Sequence, residues 1–199
     1  MPTEHRQEQR RRILDAAIRC FVQRGFHATS MQQLCSAAGM SPGSVYRYFP
    51  SKEAIIEAIS AEDREAVRAI LLSVSPDPSV LTMLSSVARQ FLVAARERLS
   101  FRLCPEVFAE ALRNPQIKTF YDQQEQLNCT LLQQLLEHGI ASGELDPVLP
   151  IELTLQLSTA LADGLLLRLL LRPELSVDEL LPQVQLLLQR YLRHPTSPT

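Results

Sequence analysis

The sequence contains no tryptophan, and phenylalanine and tyrosine supply only 6% of its 199 residues. Alternating runs of β-branched residues, which are typical of strands, are also absent. Leu, Ala, Gln, Glu and Arg dominate instead, and these residues favour helices. The 46% hydrophobic and 21% charged content is that of a soluble globular protein rather than a disordered one. The sequence therefore predicts an all-α protein of about nine helices.

Motifs for metal binding and catalysis are missing as well. The four cysteines form no CxxC pair and have no metal-ligand spacing with the four histidines. The sequence has no P-loop, no GxSxG, no HExxH and no glycine-rich dinucleotide turn. We therefore expect no metal, no cofactor and no enzymatic activity.

The sequence also lacks a long apolar run that is free of charge. The stretch 151–171 contains Glu152, Asp163 and Arg168, which makes a membrane span unfavourable. The N-terminal MPTEHRQEQRRR is charged and has no apolar core of a signal peptide. These features, with unpaired cysteines, predict a soluble protein of the reducing cytoplasm.

Charge is distributed unevenly along the chain. Residues 1–60 carry 8 Lys and Arg against 5 Asp and Glu, a balance of +3, whereas residues 61–199 carry 12 against 17, a balance of −5. A basic end on an acidic body indicates contact with a polyanion, although chance can produce a difference of this size.

Helix start and stop signals divide the N-terminal region into short helices. Apolar spacing predicts a first helix over about 4–24, ended by Gly25. The pairing of Thr29 or Ser30 with a glutamine three residues later predicts a capping box and a helix over 30–38. After Gly39, Ser41 is the predicted cap of a helix over 42–48.

Two short helices joined by a tight turn predict a helix-turn-helix, with the second helix as the DNA reader. Val45 and Phe49 are four residues apart and are expected to pack against Leu34 and Phe21. The other face offers small and polar groups that suit a DNA groove, with hydroxyl, ammonium and N–H donors for phosphates. The alternative is a helical hairpin with solvated charges. The candidate DNA contacts are Thr29, Ser30, Gln33, Ser41, Pro42, Gly43, Ser44, Tyr46, Arg47, Tyr48 and Lys52.

The stretch ILDAAIRCFVQRGFHATSMQQLCSAAGMSPGSVYRYFPSKEAII, residues 13–56, closely resembles the DNA-binding domain of the TetR family of transcriptional regulators. The segment YRYFPSKEAI carries the most specific part of the likeness. Tyr48 stands where that family often has His, and Pro42 stands where it often has Lys or another polar residue. The resemblance implies that the first three helices bind DNA and that the remainder senses a small molecule and dimerises. The expected domains are residues 1–52 and 53–199.

The helix predicted over 147–171 is apolar on almost every side, so it must be buried on all sides. One chain can cover one face and a second copy the other, which predicts a homodimer, the alternative being a central helix in a monomer. The candidate interface residues are Leu157, Leu161, Leu165, Val184, Leu188 and Tyr191.

An effector site needs an apolar cavity with a few polar groups. Gln124 and Asn128 fall four apart on an otherwise apolar helix stripe, and Asp163 interrupts a leucine run. Each of these polar residues has a structural alternative, such as a hydrogen bond to the neighbouring backbone. The candidate effector contacts are Phe91, Phe108, Tyr121, Gln124, Asn128 and Asp163.

These features predict a ligand-responsive repressor that binds a pseudo-palindromic operator as a homodimer. The alternative is an activator or adaptor with the same DNA reader and no small effector.

Overall fold

A computed structural model describes residues 2–73 and 79–193, with side chains from Glu4 onward. Within these ranges the chain forms nine α-helices and one 3₁₀ segment and no strand, which confirms the predicted all-α class. The stretch Ser75-Pro76-Asp77-Pro78, whose composition predicts a turn, lies outside the described residues.

The helices follow one another with short connections. They are α1 (Pro2–Arg24), α2 (Met31–Ala38), α3 (Pro42–Tyr46), α4 (Lys52–Ser73), α5 (Val80–Glu97), the 3₁₀ segment (Leu99–Leu103), α6 (Cys104–Ala111), α7 (Pro115–Ala141), α8 (Ile151–Leu171) and α9 (Val177–Leu192).

The first compact unit comprises Met1–Glu65 and Arg98–Gln124. In it, α1 packs against α2 and against the 3₁₀ segment. Its core joins apolar residues of the first helices to residues of the 3₁₀ segment, α6 and α7. Its members include Phe21, Phe26, Leu34, Val45, Ile56, Leu103, Val107 and Ile117. The domain boundary that the sequence predicts lies after residue 52, whereas the unit defined by packing continues to Glu65 and includes Arg98–Gln124.

The second compact unit comprises Ala66–Glu97 and Glu125–Thr199, in which α5 packs against α8 and α9. Glu144 closes the N-terminus of α5, because its carboxylate accepts the Leu81 N–H at 3.2 Å and the Ser79 hydroxyl at 2.6 Å. At the other end of α5, the Arg96 guanidinium donates to the Leu169 carbonyl at 2.9 Å. Both ends of α5 are therefore fixed by charged side chains.

Helix α8 begins at Ile151 rather than at residue 147. Asp146 donates its N–H to the Leu192 carbonyl, and its side chain accepts the Val148 N–H at 3.0 Å. These bonds hold a turn before Pro150, which is the N-cap. Ser176, with Glu179 three residues later, has the spacing that predicts a capping box at the start of α9. That prediction is wrong, because Ser176 is the N-cap but forms no side-chain cap bond.

Candidate nucleic-acid interface

The turn between α2 and α3 has the geometry of a helix-turn-helix. Gly39 ends α2 with φ = +61°, a left-handed conformation that favours glycine. Its N–H donates to the Ser36 carbonyl, and the Met40 N–H donates to the Cys35 carbonyl, both at 3.0 Å. The two bonds satisfy the last carbonyls of α2 and direct the chain into α3.

Helix α3 is short because it is supported at both ends. Ser41 is its N-cap and accepts the Ser44 N–H at 3.3 Å, and Pro42 occupies the first helical position. Val45 and Phe49 are buried in the same core cluster as Leu34. The predicted inward packing of Val45 and Phe49 is therefore confirmed.

The opposite face of α3 is open to solvent. Ser41, Pro42, Gly43, Tyr46 and Arg47 are exposed, while Ser44 and Tyr48 are half-buried. The Arg47 guanidinium lies 5.6 Å from the centre of the Tyr48 ring, and nothing lies within 4 Å of a Cβ placed on Gly43. This face combines donors with room for close approach, which is what a DNA groove requires.

The start of α2 carries the other candidate contacts. Ser30 and Gln33 form the predicted capping box, with the Ser30 N–H donating to Gln33 Oε1 at 2.8 Å and the Gln33 N–H donating to Ser30 Oγ at 3.2 Å. Thr29 is only 1% exposed, and its hydroxyl donates to the Gly25 carbonyl at 2.8 Å. Thr29 therefore supports the turn before α2 rather than the exposed surface.

Lys52 lies at the start of α4, but its ammonium is engaged within the unit. It donates to the Phe26 carbonyl at 2.9 Å and to the His27 carbonyl at 3.3 Å, and it lies 4.7 Å from the centre of the Phe26 ring. Lys52 therefore holds the loop between α1 and α2, a role that its sequence position does not reveal.

Two carboxylates of α6 hold the same loop. The Phe26 N–H donates to Glu106 Oε2 at 3.3 Å, and His27 Nε2 lies 2.8 Å from Glu110 Oε1. Glu110 is 7% exposed and also faces Arg113 at 3.8 Å. The loop that precedes α2 is thus bound to both α4 and α6.

The three arginines at 10–12 have different surroundings. Arg10 pairs with Glu62 at 2.7 Å, and Arg11 lies 3.7 Å from Asp15. Arg12 donates a long bond of 3.4 Å to the Gly39 carbonyl. Arg12 lines a cleft of about 390 Å³ together with His5, Gln9 and the exposed face of α3. These α1 residues are missing from the predicted set, although their spacing i, i+4, i+7 marks one helix stripe.

A buried acid lies further along α4. Burial raises the pKa of the Asp63 carboxyl, although hydrogen bonds from Ser100 at 2.6 Å and from Arg98 partly oppose the rise. In the same unit, the Arg64 guanidinium lies 4.5 Å from the centre of the Tyr121 ring. Neighbouring residues of α4 thus contact the 3₁₀ segment and α7.

The candidate effector residues fall in both units. In the first, Phe108 and Tyr121 form an edge-to-face pair with ring centres 5.8 Å apart, and Gln124 is half-buried. In the second, Phe91, Asn128 and Asp163 are half-buried. Among the described residues, the Asn128 Nδ2 is a buried side-chain nitrogen without a hydrogen-bond partner. Buried side-chain donors normally have an acceptor, which the Asn128 amide lacks among the described residues.

A separate groove of about 510 Å³ lies in the first unit between α4 and the start of α7. Glu57 of α4 lines it with Phe120 of α7. Burial, and then the nearby Glu53 charge, raise the pKa of Glu57. No group of His, Cys, Asp and Glu that could hold a metal occurs in the parts of the chain that the structure describes.

The candidate interface residues on α8 and α9 differ in exposure. Leu157 is 55% exposed and Tyr191 40%, while Leu161, Leu165 and Leu188 are half-buried. Val184 is only 8% exposed and belongs to the interior, so it offers little surface to a partner. Helix α8 is long and apolar enough to cross a membrane by length and composition, a weak criterion that core helices of soluble proteins also meet.

Comparison with known proteins agrees with this geometry. Residues 13–59 match the family model of bacterial regulatory proteins of the tetR family, and residues 80–193 match that of the C-terminal domain of BetI-type transcriptional repressors. The transcriptional regulator UidR of Escherichia coli K12 is 32% identical over 161 residues, which are 80% of this chain and 81% of UidR.

Solved structures show the same fold. GusR of Salmonella enterica is 30% identical, with a TM-score of 0.76 over 92% of this chain and 96% of GusR. FadR of Bacillus subtilis, solved in complex with stearoyl-CoA, is 19% identical, with a TM-score of 0.79 over 92% and 98% of the two chains. The fold and the helix-turn-helix define a DNA-binding transcriptional regulator. The chain belongs to the TetR family.

Proposed function

We propose that this regulator is a ligand-responsive repressor that binds a pseudo-palindromic operator as a homodimer in the cytoplasm. In this proposal residues 1–52 read DNA, and residues 53–199 sense the effector and dimerise. The observation that carries the proposal is the open polar face of α3, held in place by buried Val45 and Phe49. The likeness to BetI-type repressors supports the direction of regulation.

The proposed DNA contacts divide into two groups. The face of α3 would enter the major groove, since the small residues Gly43 and Ser44 let its N-terminus approach the bases. The start of α2 would bind backbone phosphate, because Ser30 and the Gln33 side-chain amide reach the surface. The proposed set is Ser30, Gln33, Ser41, Pro42, Gly43, Ser44, Tyr46, Arg47 and Tyr48. A phosphate contact from Thr29 or Lys52 would require it to give up the internal bonds described above.

An exposed apolar seam on α8 supports the homodimer. Leu153, Leu157, Ala160, Gly164, Leu167 and Leu171 are all exposed. Their spacing of 4, 3, 4, 3 and 4 residues keeps one line along a helix, which is the spacing of helices that pack side by side. The small residues Ala160 and Gly164 at its centre leave room for a second backbone. Leu187 and Tyr191 extend the apolar surface on α9.

The unpartnered Asn128 amide supports an effector site in the second unit. A buried donor without an acceptor costs about 1–3 kcal/mol, which a ligand carrying a carbonyl, carboxylate or hydroxyl oxygen would recover. Ligand binding would weaken DNA affinity only if the effector binds the DNA-free state more tightly than the DNA-bound state.

The test is fluorescence anisotropy with duplexes from the DNA adjoining the gene of this protein. We expect specific binding that weakens steeply with salt, and a footprint with two-fold symmetry. A reporter fused to that DNA should rise when the gene is deleted, whereas a fall would indicate an activator. Absence of specific, salt-sensitive binding would contradict the DNA-reading part of the proposal.

The effector part is tested separately by a thermal-shift screen of small molecules bearing acceptor groups. For a ligand that raises the melting temperature of the wild-type protein, an equal rise in Asn128→Leu should need at least a tenfold higher ligand concentration. Asn128→Leu fills a similar volume without the amide, and the control Asn114→Leu makes the same exchange at a half-buried asparagine of the first unit. If both variants respond equally to the ligand, Asn128 does not belong to the effector site.

A further inference from the structure

The first turns of α1 extend beyond the core they belong to. The first buried residue of α1 is Ile13, whereas the helix begins at Pro2, so roughly 16 Å of helix precedes the core. Side chains 4–8, 11 and 12 are exposed, and Gln9 and Arg10 are half-buried. Little apolar burial therefore holds this segment in place, and its sequence is not explained by folding alone.

One stripe of the segment forms the wall of a cleft. His5, Gln9 and Arg12 face Ser41, Ser44 and Arg47 across a space of about 390 Å³. The cleft thus has α1 on one side and the proposed DNA-reading face on the other.

The chemistry of this cleft fits an anion. Its walls bring together two guanidinium groups, an imidazole, an amide and three hydroxyls, and no carboxylate is among the described residues that line it. Glu4 and Glu8 lie on the same helix but do not line the cleft. Within the described part of the chain, the Arg12 guanidinium donates only the long bond to the Gly39 carbonyl, and the Arg47 guanidinium lies over the Tyr48 ring. Both charges therefore remain available to a phosphate group.

We propose that His5, Gln9 and Arg12 form a second DNA contact, which grips a backbone phosphate at the edge of the groove that α3 reads. The inference rests on the DNA-reading role of α3. When α3 lies in a major groove about 12 Å wide, the groove is bounded by phosphates on both sides. The cleft shares Ser41, Ser44 and Arg47 with the reading face, so a phosphate in it is adjacent to the bases that α3 contacts. Contacts of this kind position the protein and add affinity without reading sequence.

The test measures the affinity of the full-length protein for its operator duplex from about 50 to 300 mM salt. Arg12→Gln should weaken binding roughly tenfold at the lower salt and reduce the salt slope by about one, because one phosphate contact is lost. The loss should be similar on non-specific duplex. Arg19→Gln is the matched control, since Arg19 is exposed on α1 and does not line the cleft, and it should stay within about twofold of wild type.

A gain-of-charge variant keeps the test independent of folding. Gln9→Lys adds a charge to the cleft wall, and it should steepen the salt slope by about one and tighten binding. Thermal melting verifies that each variant is folded. If folded Arg12→Gln and Gln9→Lys both keep the wild-type slope, the proposal is overturned.

Inorganic phosphate at constant ionic strength separates DNA from a free anion as the source of the phosphate group. Millimolar phosphate could stabilise the wild type but not Arg12→Gln, while the variant keeps the wild-type salt slope on DNA. That result would assign the cleft to a free anion and overturn the DNA contact. Failure of the wild type to bind any specific duplex would instead refute the proposed function, which keeps the two failures distinct.

Discussion

His27 of the loop before α2 lies with its Nε2 2.8 Å from the Glu110 Oε1 of α6. The residues are 83 positions apart in the sequence, and their side chains differ in exposure, 67% for His27 and 9% for Glu110. The buried carboxylate thus depends on a partner that reaches it from the surface. A link of this kind ties the position of α2, and so of the reader, to the position of α6.

His27→Ala tests that link. The variant leaves Glu110 with only the 3.8 Å contact to Arg113, so we expect a loss of about 1 kcal/mol in the free energy of unfolding. DNA affinity should fall as well, since the loop loses one of its anchors. Urea unfolding and anisotropy measure the two effects. His138→Ala removes an exposed histidine of α7 and is the control. It should change neither the free energy of unfolding nor the free energy of DNA binding by more than about 0.5 kcal/mol. Equal behaviour of the two variants would show that the His27 contact has no energetic role.

Gly39→Ala should destabilise the protein by about 1–2 kcal/mol. The residue has φ = +61°, which costs that much for an L side chain, and its new Cβ would lie 2.6 Å from Arg12 Nη2. Gly43→Ala is the matched control, because Gly43 is within α3 with open space around it and alanine favours helix there. In thermal melting, Gly39→Ala should therefore lower the melting temperature and Gly43→Ala should raise it. Gly43→Ala should also weaken DNA binding. A Gly39→Ala protein as stable as wild type would contradict the turn geometry.

Glu144 predicts a pH dependence of stability. Burial alone would raise its pKa, but the hydrogen bonds from Ser79, Val80 and Leu81 and the Arg193 charge outweigh burial, so the pKa is lowered. The folded state thus binds the proton less readily than the unfolded state. The stabilisation is present above the ordinary pKa of a glutamate and is lost as pH falls through the lowered value. Glu144→Gln should cost about 1 kcal/mol at pH 7, as loss of a helix cap does.

The measurement is urea unfolding of wild type and Glu144→Gln at pH 7 and at pH values below about 4. The difference between the two proteins should shrink as the pH falls. Glu137→Gln, on the surface of α7, controls for removal of a charge and should give no such trend. A constant difference across the pH range would mean that the carboxylate charge is not what caps α5.

Leu157→Glu tests the homodimer. Leu157 is 55% exposed on the α8 seam, and a charge there would have to be buried without a partner in the dimer. Light scattering after size exclusion should show a dimer for wild type and a monomer for the variant. Leu112→Glu is a demanding control, since Leu112 is 84% exposed on the first unit and lies outside the seam. If both variants are monomers, or if both remain dimers, the result would contradict an interface on α8.

The local parts of the interface could be predicted from the sequence. The Ser30 and Gln33 capping box, the Gly39 turn and the inward packing of Val45 and Phe49 all depend on residues within a few positions of one another. Cap chemistry and helical spacing determine such features directly.

The anchors of the loop could not be predicted in this way. Lys52 satisfies backbone carbonyls 25 and 26 residues away, and Glu106 and Glu110 reach the loop across 80 and 83 positions. Only the packing of α6 and of the start of α4 against this loop reveals these partners. The predicted surface role of Thr29 fails for a local reason instead, because the side chain is buried and its hydroxyl donates to the Gly25 carbonyl of its own turn.

The Phe26 N–H, which donates to Glu106, can be used as a probe of how firmly α6 holds the loop before α2. A backbone amide held by a side chain of another helix exchanges its hydrogen slowly only while that helix stays in place. The deuterium uptake of the loop containing Phe26 should therefore report how tightly α6 holds the reader, before any effector is identified. Under the proposed function, a compound that accelerates uptake there would be tested next as an inducer.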